Sequence, residues 1–188
     1  MNDPEALTIL SPAVGRDLVE GLAFLDASYQ KAFSVSPSPP DHLIAARWGE
    51  RVAGTIGVNF WQPGTGLRLA HLYRFDYADA PLPIDLSKTV EFGKLACETP
   101  GISGALIHAA ICFALLHGNT HVWCEHTVRV NRACRRFGII FHEVTTAQLN
   151  SSRIEEHHRK FYENNAARLY MFDLAQARKA LDEFLRRQ

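Results

Sequence analysis

Glu91 is a carboxylate set in an otherwise apolar run, Thr89-Val-Glu-Phe-Gly-Lys-Leu-Ala-Cys97. That run reads as a strand. Partial burial there raises a carboxyl pKa and makes the group a candidate proton acceptor. Two other roles stand beside it: an anchor for a substrate ammonium, and a structural pair with Arg74 or Arg129. Directly after the run comes Glu98-Thr-Pro-Gly-Ile-Ser-Gly104, a glycine-punctuated turn, then an almost wholly apolar helix over 105–117. A strand that feeds backbone N–H groups into the start of a helix is a seat for a phosphate. Farther on, Arg129, Arg132, Arg135 and Arg136 fall within eight residues, in a short helix expected over 130–137. Those arginines either receive an anionic group or form a solvated helix face.

Other reactive residue types carry less. Cys134 lies on the arginine helix, where a thiol donates a proton or is simply a small buried hydrophobe. Cys124 and His126 alternate onto one strand face but have no obvious third metal ligand. His157 and His158 diverge on a helix and read as surface residues. Ser103 lacks the Gly-x-Ser-x-Gly elbow of a hydrolase nucleophile.

The elements that must hold these residues follow from pattern. Apolar residues at Leu18, Leu22, Leu25, Tyr29 and Phe33 predict an amphipathic helix over 16–33, stopped by the prolines of 34–40. The period then changes to two, with strands over 42–48 and 51–60 joined at Gly49-Glu50, a turn over 62–66 and a third strand over 67–77. After an irregular 78–88 come the strand of Glu91, the apolar helix, a strand over 120–126, the arginine helix and a strand after Gly138. A helix over 152–164, a strand over 168–172 and a terminal helix capped by Asp173 complete the chain. In that last helix Leu174, Leu181, Phe184 and Leu185 are expected to face inward. The fold class is α+β, α/β/α layered: a mixed, mainly antiparallel sheet with one βαβ crossover, in a single domain over 1–188.

Composition sets bounds. The 188 residues are 47% hydrophobic and 21% charged, with twenty basic against twenty acidic side chains. That balance gives no general attraction to nucleic acid or to a membrane surface. The four cysteines lack CxxC spacing, the N-terminus lacks a leader pattern, and no apolar run reaches the roughly 20 residues of a membrane span. The expected location is the cytoplasm.

The element order resembles the GNAT acyltransferase superfamily. Val90-Glu91-Phe92-Gly93-Lys94-Leu95-Ala96 is similar to the glutamate-bearing strand of thermostable-haemolysin-like proteins and acyl-homoserine-lactone synthases. Asn131-Arg-Ala-Cys-Arg-Arg-Phe-Gly-Ile139 extends the likeness, which covers about 72–141. Long-chain N-acyl amino acid synthases belong to the same branches.

The resemblance implies N-acyl transfer from a thioester to a primary amine such as an amino acid. Glu91 would act at the amine. Backbone around Leu95, Ala96 and Cys97 would face the thioester carbonyl. Gly101, Ile102, Ser103 and Gly104 would seat the donor phosphate, and Asn131, Arg132 and Arg135 would hold the pantetheine arm. The coenzyme A pattern of this turn, Gln/Arg-x-x-Gly-x-Gly/Ala, is broken here by Glu98 and Ser103. The implied co-substrate is therefore an acyl-phosphopantetheine thioester, more readily on acyl carrier protein than on coenzyme A, with no tightly bound cofactor and no metal. The partners expected are acyl carrier protein and a small amine. A coenzyme A-dependent acetyltransferase and a non-catalytic acyl-binding module are the alternatives.

Overall fold

A computed structural model describes residues 6–187, apart from the side chains of Pro100, Val128, Arg129, His157, Lys160 and Asn164. Arg129 in the arginine cluster and His157 thus lie outside the described side chains. The chain runs β1 (Leu7–Leu10), α1 (Gly15–Phe33), β2 (His42–Trp48), β3 (Arg51–Phe60), α2 (Arg68–Leu72), β4 (Tyr73–Arg74) and β5 (Thr89–Cys97). It continues through α3 (Pro100–Leu116), β6 (His121–His126), α4 (Val128–Arg135), β7 (His142–Glu143), β8 (Gln148–Leu149), α5 (Arg159–Asn165), β9 (Arg168–Asp173) and α6 (Leu174–Leu185).

Seven strands form one sheet in the order β1-β2-β3-β5-β6-β9-β7, and β4 pairs with β8 in a separate ladder. Only β5 and β6 run parallel, joined by the crossover helix α3. Alternation along β3 and β5 divides the layers. Ile56, Val58, Val90 and Phe92 join the cluster under α3 and α6, whereas Leu43 and Ala96 pack with Leu25 of α1. Beside α1, a second cluster on the same face gathers Leu69, Leu72, Trp123, Leu169 and Met171. The expected layered, mainly antiparallel α+β architecture is therefore observed.

Several boundaries differ from expectation. The third strand expected over 67–77 is instead helix α2, the two-residue β4 and a 3-10 turn. Arg68-Leu-Ala-His-Leu72 buries Leu69 and Leu72 at the i, i+3 spacing of a helix. Helix α3 starts at Pro100, so Gly101 to Gly104 belong to its first turn and not to a loop. Proline at the first helical position lacks only an N–H that would have no intrahelical partner. The stretch 139–141 forms no strand; His142–Glu143 pairs with β9 instead. The helix expected over 152–164 is two 3-10 turns followed by α5. Strand β1 escaped sequence reading, and Leu185 is partly exposed. Asp173 caps α6 as expected, accepting from the Gln176 N–H at 2.7 Å.

All four cysteines are free. Among the described residues no cluster of three His, Cys, Asp or Glu could hold a metal, and no helix is long and apolar enough to cross a membrane. His126 is a core residue. Its ring stacks on Tyr170 at 4.3 Å and meets Phe141 edge-on at 5.1 Å.

Burial pushes the His126 pKa down to about 4, opposed only by the Thr127 backbone, and neither ring nitrogen makes a well-formed hydrogen bond. A depressed histidine is neutral when folded but takes up a proton when unfolded, so stability falls as pH drops from about 6.5 towards 4. Buried Glu91 and Glu125, with raised pKa values, act in the opposite sense. His126→Phe isolates the histidine. Its stability advantage over the parent chain should widen by about 3 kcal/mol between pH 7 and pH 4. Urea unfolding at the two pH values measures this, and parallel losses in both proteins would remove the assignment.

Candidate active site

Glu91 sits in the middle of the sheet, paired in register with Asn59 of β3 and Trp123 of β6. Its side chain is buried and points to the α1 face. It accepts a short hydrogen bond from the Leu69 N–H at the start of α2. Asn59 donates to it as well, while the Asn59 oxygen takes the Asp41 N–H at 2.8 Å. Desolvation raises the Glu91 pKa; the Leu69 N–H, the Arg68 guanidinium, Asn59 and Lys94 pull it back in part. No arginine lies within ion-pair distance of it among the described residues, so the expected pairing with Arg74 is not made. Arg68 is the guanidinium that acts on it, through space.

A cleft opens in front of Glu91. It has about 80 Å³ of enclosed space and is walled by Tyr29, Phe161 and Tyr162, with Arg68, Lys94 and Glu125 at its sides. Glu125 is a second buried carboxylate, held by the Tyr73 hydroxyl at 2.5 Å and the Tyr162 hydroxyl at 2.9 Å. Arg68 approaches it at 3.9 Å. Burial again raises its pKa, against these three neighbours. The floor of the cleft is bare at Gly93, where a Cβ would meet nothing within 4 Å, while its register partner Gly57 on β3 lies against Pro40.

The donor side lies farther along β5. Pairing of β5 with β6 ends at Phe92 and Cys124, while β6 continues through Glu125 and His126 beside β9. The two parallel strands therefore part at Gly93, leaving the β5 segment 93–97 along the edge of an opening. A bulge falls in the same segment: Ile56 of β3 stands opposite both Lys94 and Leu95. Lys94 has φ +55. Leu95 packs towards the main core, Ala96 towards α1, and Cys97 is half-buried.

At the start of α3, Gly101 is exposed, and a Cβ there would meet nothing within 4 Å. Ile102 is a fully buried core residue, and Ser103 is half-buried. Gly104 serves packing, since a Cβ there would lie 3.2 Å from the Phe137 ring. Glu98, which breaks the coenzyme A pattern of the turn, is ion-paired with Arg51, so its charge is compensated. On α4, buried Asn131 accepts from Arg135 Nε at 2.9 Å. Arg132, Arg135 and Arg136 are exposed and enter no ion pair among the described residues. Cys134 packs in the core, and burial pushes its thiol up to about 11. The structure thus brings Glu91 next to the segment containing Leu95–Cys97, while the α3 and α4 residues lie outside the cleft that Glu91 faces.

No protein-family model matches the sequence, and no curated protein matches it at a significant level. Solved structures do match the fold. The AHL synthase LasI superposes with a TM-score of 0.64 at 12% identity, covering 94% of this chain and 95% of that one. FeeM, an N-acyl amino acid synthase from uncultured soil microbes, gives 0.57 at 12%, covering 93% and 94%. A GNAT-family acetyltransferase of Staphylococcus aureus gives 0.53 at 12%, covering 90% and 99%. The chain has a GNAT-like fold.

Within this GNAT-like fold, sequence reading missed Glu125, Arg68, Lys94 and the two tyrosines. The signal for Glu125 was present: like Glu91, it is a carboxylate in a buried strand. Arg68 was hidden by the misassigned third strand. Lys94 depends on a bulge, which alternation alone cannot show.

Proposed function

We propose that this chain is an N-acyltransferase that moves an acyl group from a phosphopantetheine thioester to a primary amine such as an amino acid. The observation that carries this reading is that buried Glu91 opens into a cleft where β5 and β6 part. The amine enters from the α1 side and the thioester from the gap, so nucleophile and carbonyl meet across β5. Glu91 accepts the ammonium proton, directly or through water, and its burial favours holding that proton. The free amine attacks the carbonyl carbon, and backbone N–H groups of Leu95–Cys97 stabilise the oxyanion. The adduct nitrogen gives up its second proton to solvent water, the C–S bond breaks, and the departing thiolate takes a proton from solvent. Glu125, the Tyr73 and Tyr162 hydroxyls and Arg68 fix the opposite wall of the cleft and orient the amine.

Exposed Arg132 and Arg135, with no ion-pair partner among the described residues, support a donor carried on an acidic protein, a fatty acyl carrier protein. Exposed Gly101, at the N-terminus of α3, suits the phosphodiester. A second reading, coenzyme A carrying a short acyl group, is favoured by two observations. Arg51 offsets the charge of Glu98, and Trp123 is fully buried against Phe75 and Tyr77, which closes that side of the sheet to a long chain.

Thiol release from acyl carrier protein and from coenzyme A thioesters of increasing chain length, with product mass analysis, separates the two. The Arg132→Glu/Arg135→Glu double variant should lose at least about tenfold in kcat/KM with the carrier-borne donor. Its rate should also become less sensitive to salt. Unchanged carrier-protein binding would remove the docking role.

A further inference from the structure

The cleft in front of Glu91 has an uneven charge arrangement. Its carboxylates are held by neutral donors: Glu91 by the Leu69 N–H and Asn59, Glu125 chiefly by two tyrosine hydroxyls. Its cations are not matched in the same way. Lys94 makes no hydrogen bond and no ion pair among the described residues, although both carboxylates line the same cleft. Arg68 reaches Glu125 only at 3.9 Å through one nitrogen, and its other donors have no carboxylate partner among the described residues, Tyr162 being a hydrogen-bonded neighbour there.

Lys94 is in the cleft because of its backbone. Strict alternation after Gly93 would direct it to the α3 face, away from Glu91. The bulge inserts it as an extra residue in the left-handed region, and its side chain joins that of Glu91 on the α1 face, beside the bare backbone of Gly93. A non-glycine residue in that conformation is held at a cost of about 1–2 kcal/mol. Burial and the Arg68 guanidinium hold the ammonium down at about 8, as expected of a cation lacking a close counter-charge. The missing anion would have to come with a ligand. Among the described residues none of α3 or α4 lines this cleft, which separates it from the donor phosphate site proposed above.

We infer that Lys94 is a specificity-determining residue that, together with Arg68, receives the carboxylate of a zwitterionic acceptor whose ammonium faces Glu91. This rests on the acyl-transfer reading above for the identity of the ligand as acceptor. The small enclosed volume suits a group the size of a carboxylate, and Tyr29, Phe161 and Tyr162 leave apolar wall for the remainder of the molecule.

The test uses the full chain and two probe pools, the common amino acids and their decarboxylated amines. Binding is read by calorimetry without donor, and turnover by thiol release from octanoyl-acyl carrier protein and from acetyl- and octanoyl-coenzyme A. The parent chain should favour the amino acids at least about tenfold in Kd or KM. Lys94→Met should erase that preference by raising KM for the amino acids with kcat within threefold. Lys94→Arg, which keeps the charge, should retain most of it. Thermal melting of both variants verifies folding, and Lys94→Gln replaces the methionine variant if that one is unfolded. Equal use of the decarboxylated amines, binding of neither pool, or loss of kcat alone in Lys94→Met would overturn the inference. Selective amino-acid binding without thiol release would support Lys94 while sinking acyl transfer. Turnover without carboxylate preference would do the reverse.

Discussion

Replacing Glu91 with glutamine should lower kcat/KM for acyl transfer by about 10²- to 10⁴-fold, the span of a lost general base. The substitution keeps shape and keeps an oxygen for the Leu69 N–H. Its amide nitrogen, however, would face the Asn59 amide, whose oxygen is already committed to the Asp41 N–H. That donor-against-donor contact costs about 1–3 kcal/mol. Removing a buried charge offsets part of it, so the variant should remain folded. The pH profile separates catalysis from structure. Glu91 accepts a proton only when ionised, and burial raises its pKa, so the parent rate should fall as pH drops through that raised value. The glutamine variant should lack this acidic limb. Activity within tenfold of the parent, with the limb intact, would mean that Glu91 only holds α2 in place.

Much of this arrangement was legible in the sequence where local chemistry and tertiary environment agree. The hairpin of β2 and β3 ended where Gly49 turns it, and that residue does adopt a positive φ of 60°. Glu91 stood out because a carboxylate in an apolar strand has a desolvation cost to explain. The same rule, applied to Val122-Trp-Cys-Glu125, would have found the second carboxylate. What could not be read depends on contacts distant in sequence. Helix α2 exists because Leu69 and Leu72 meet Trp123 and Met171 of distant strands, and its Leu69 N–H meets Glu91. Short β4 is defined only by pairing with β8, some seventy residues later. The aim of Lys94 is set by a register shift against Ile56, and alternation counted along one strand assigns it to the wrong face. Gly104 looked like part of a phosphate turn, yet its neighbour is Phe137, on the segment after α4.

Gly93→Val should abolish transfer while leaving the fold as stable as before or more so. The two effects separate because of where the missing side chain would go. Gly93 does not occupy the left-handed region, and a Cβ built on it meets nothing within 4 Å. Valine suits a strand better than glycine, by about 0.5–1 kcal/mol. Its methyl groups would enter the enclosed space between Glu91, Lys94 and Glu125, which is only about 80 Å³. An acceptor nitrogen displaced by even about 1 Å from the carbonyl loses on the order of 10²-fold in rate, and a filled cleft should lose more. The partner glycine supplies the contrast. A Cβ on Gly57 would lie 2.9 Å from Pro40, so Gly57→Ala should destabilise the chain by displacing the loop before β2. If the cleft is the acceptor site, Gly93→Val retains donor binding and melting temperature but neither binds nor acylates an amine. A fully active Gly93→Val protein would place the reacting amine elsewhere, on the α3 side of β5, and Glu91 would then have no access to it.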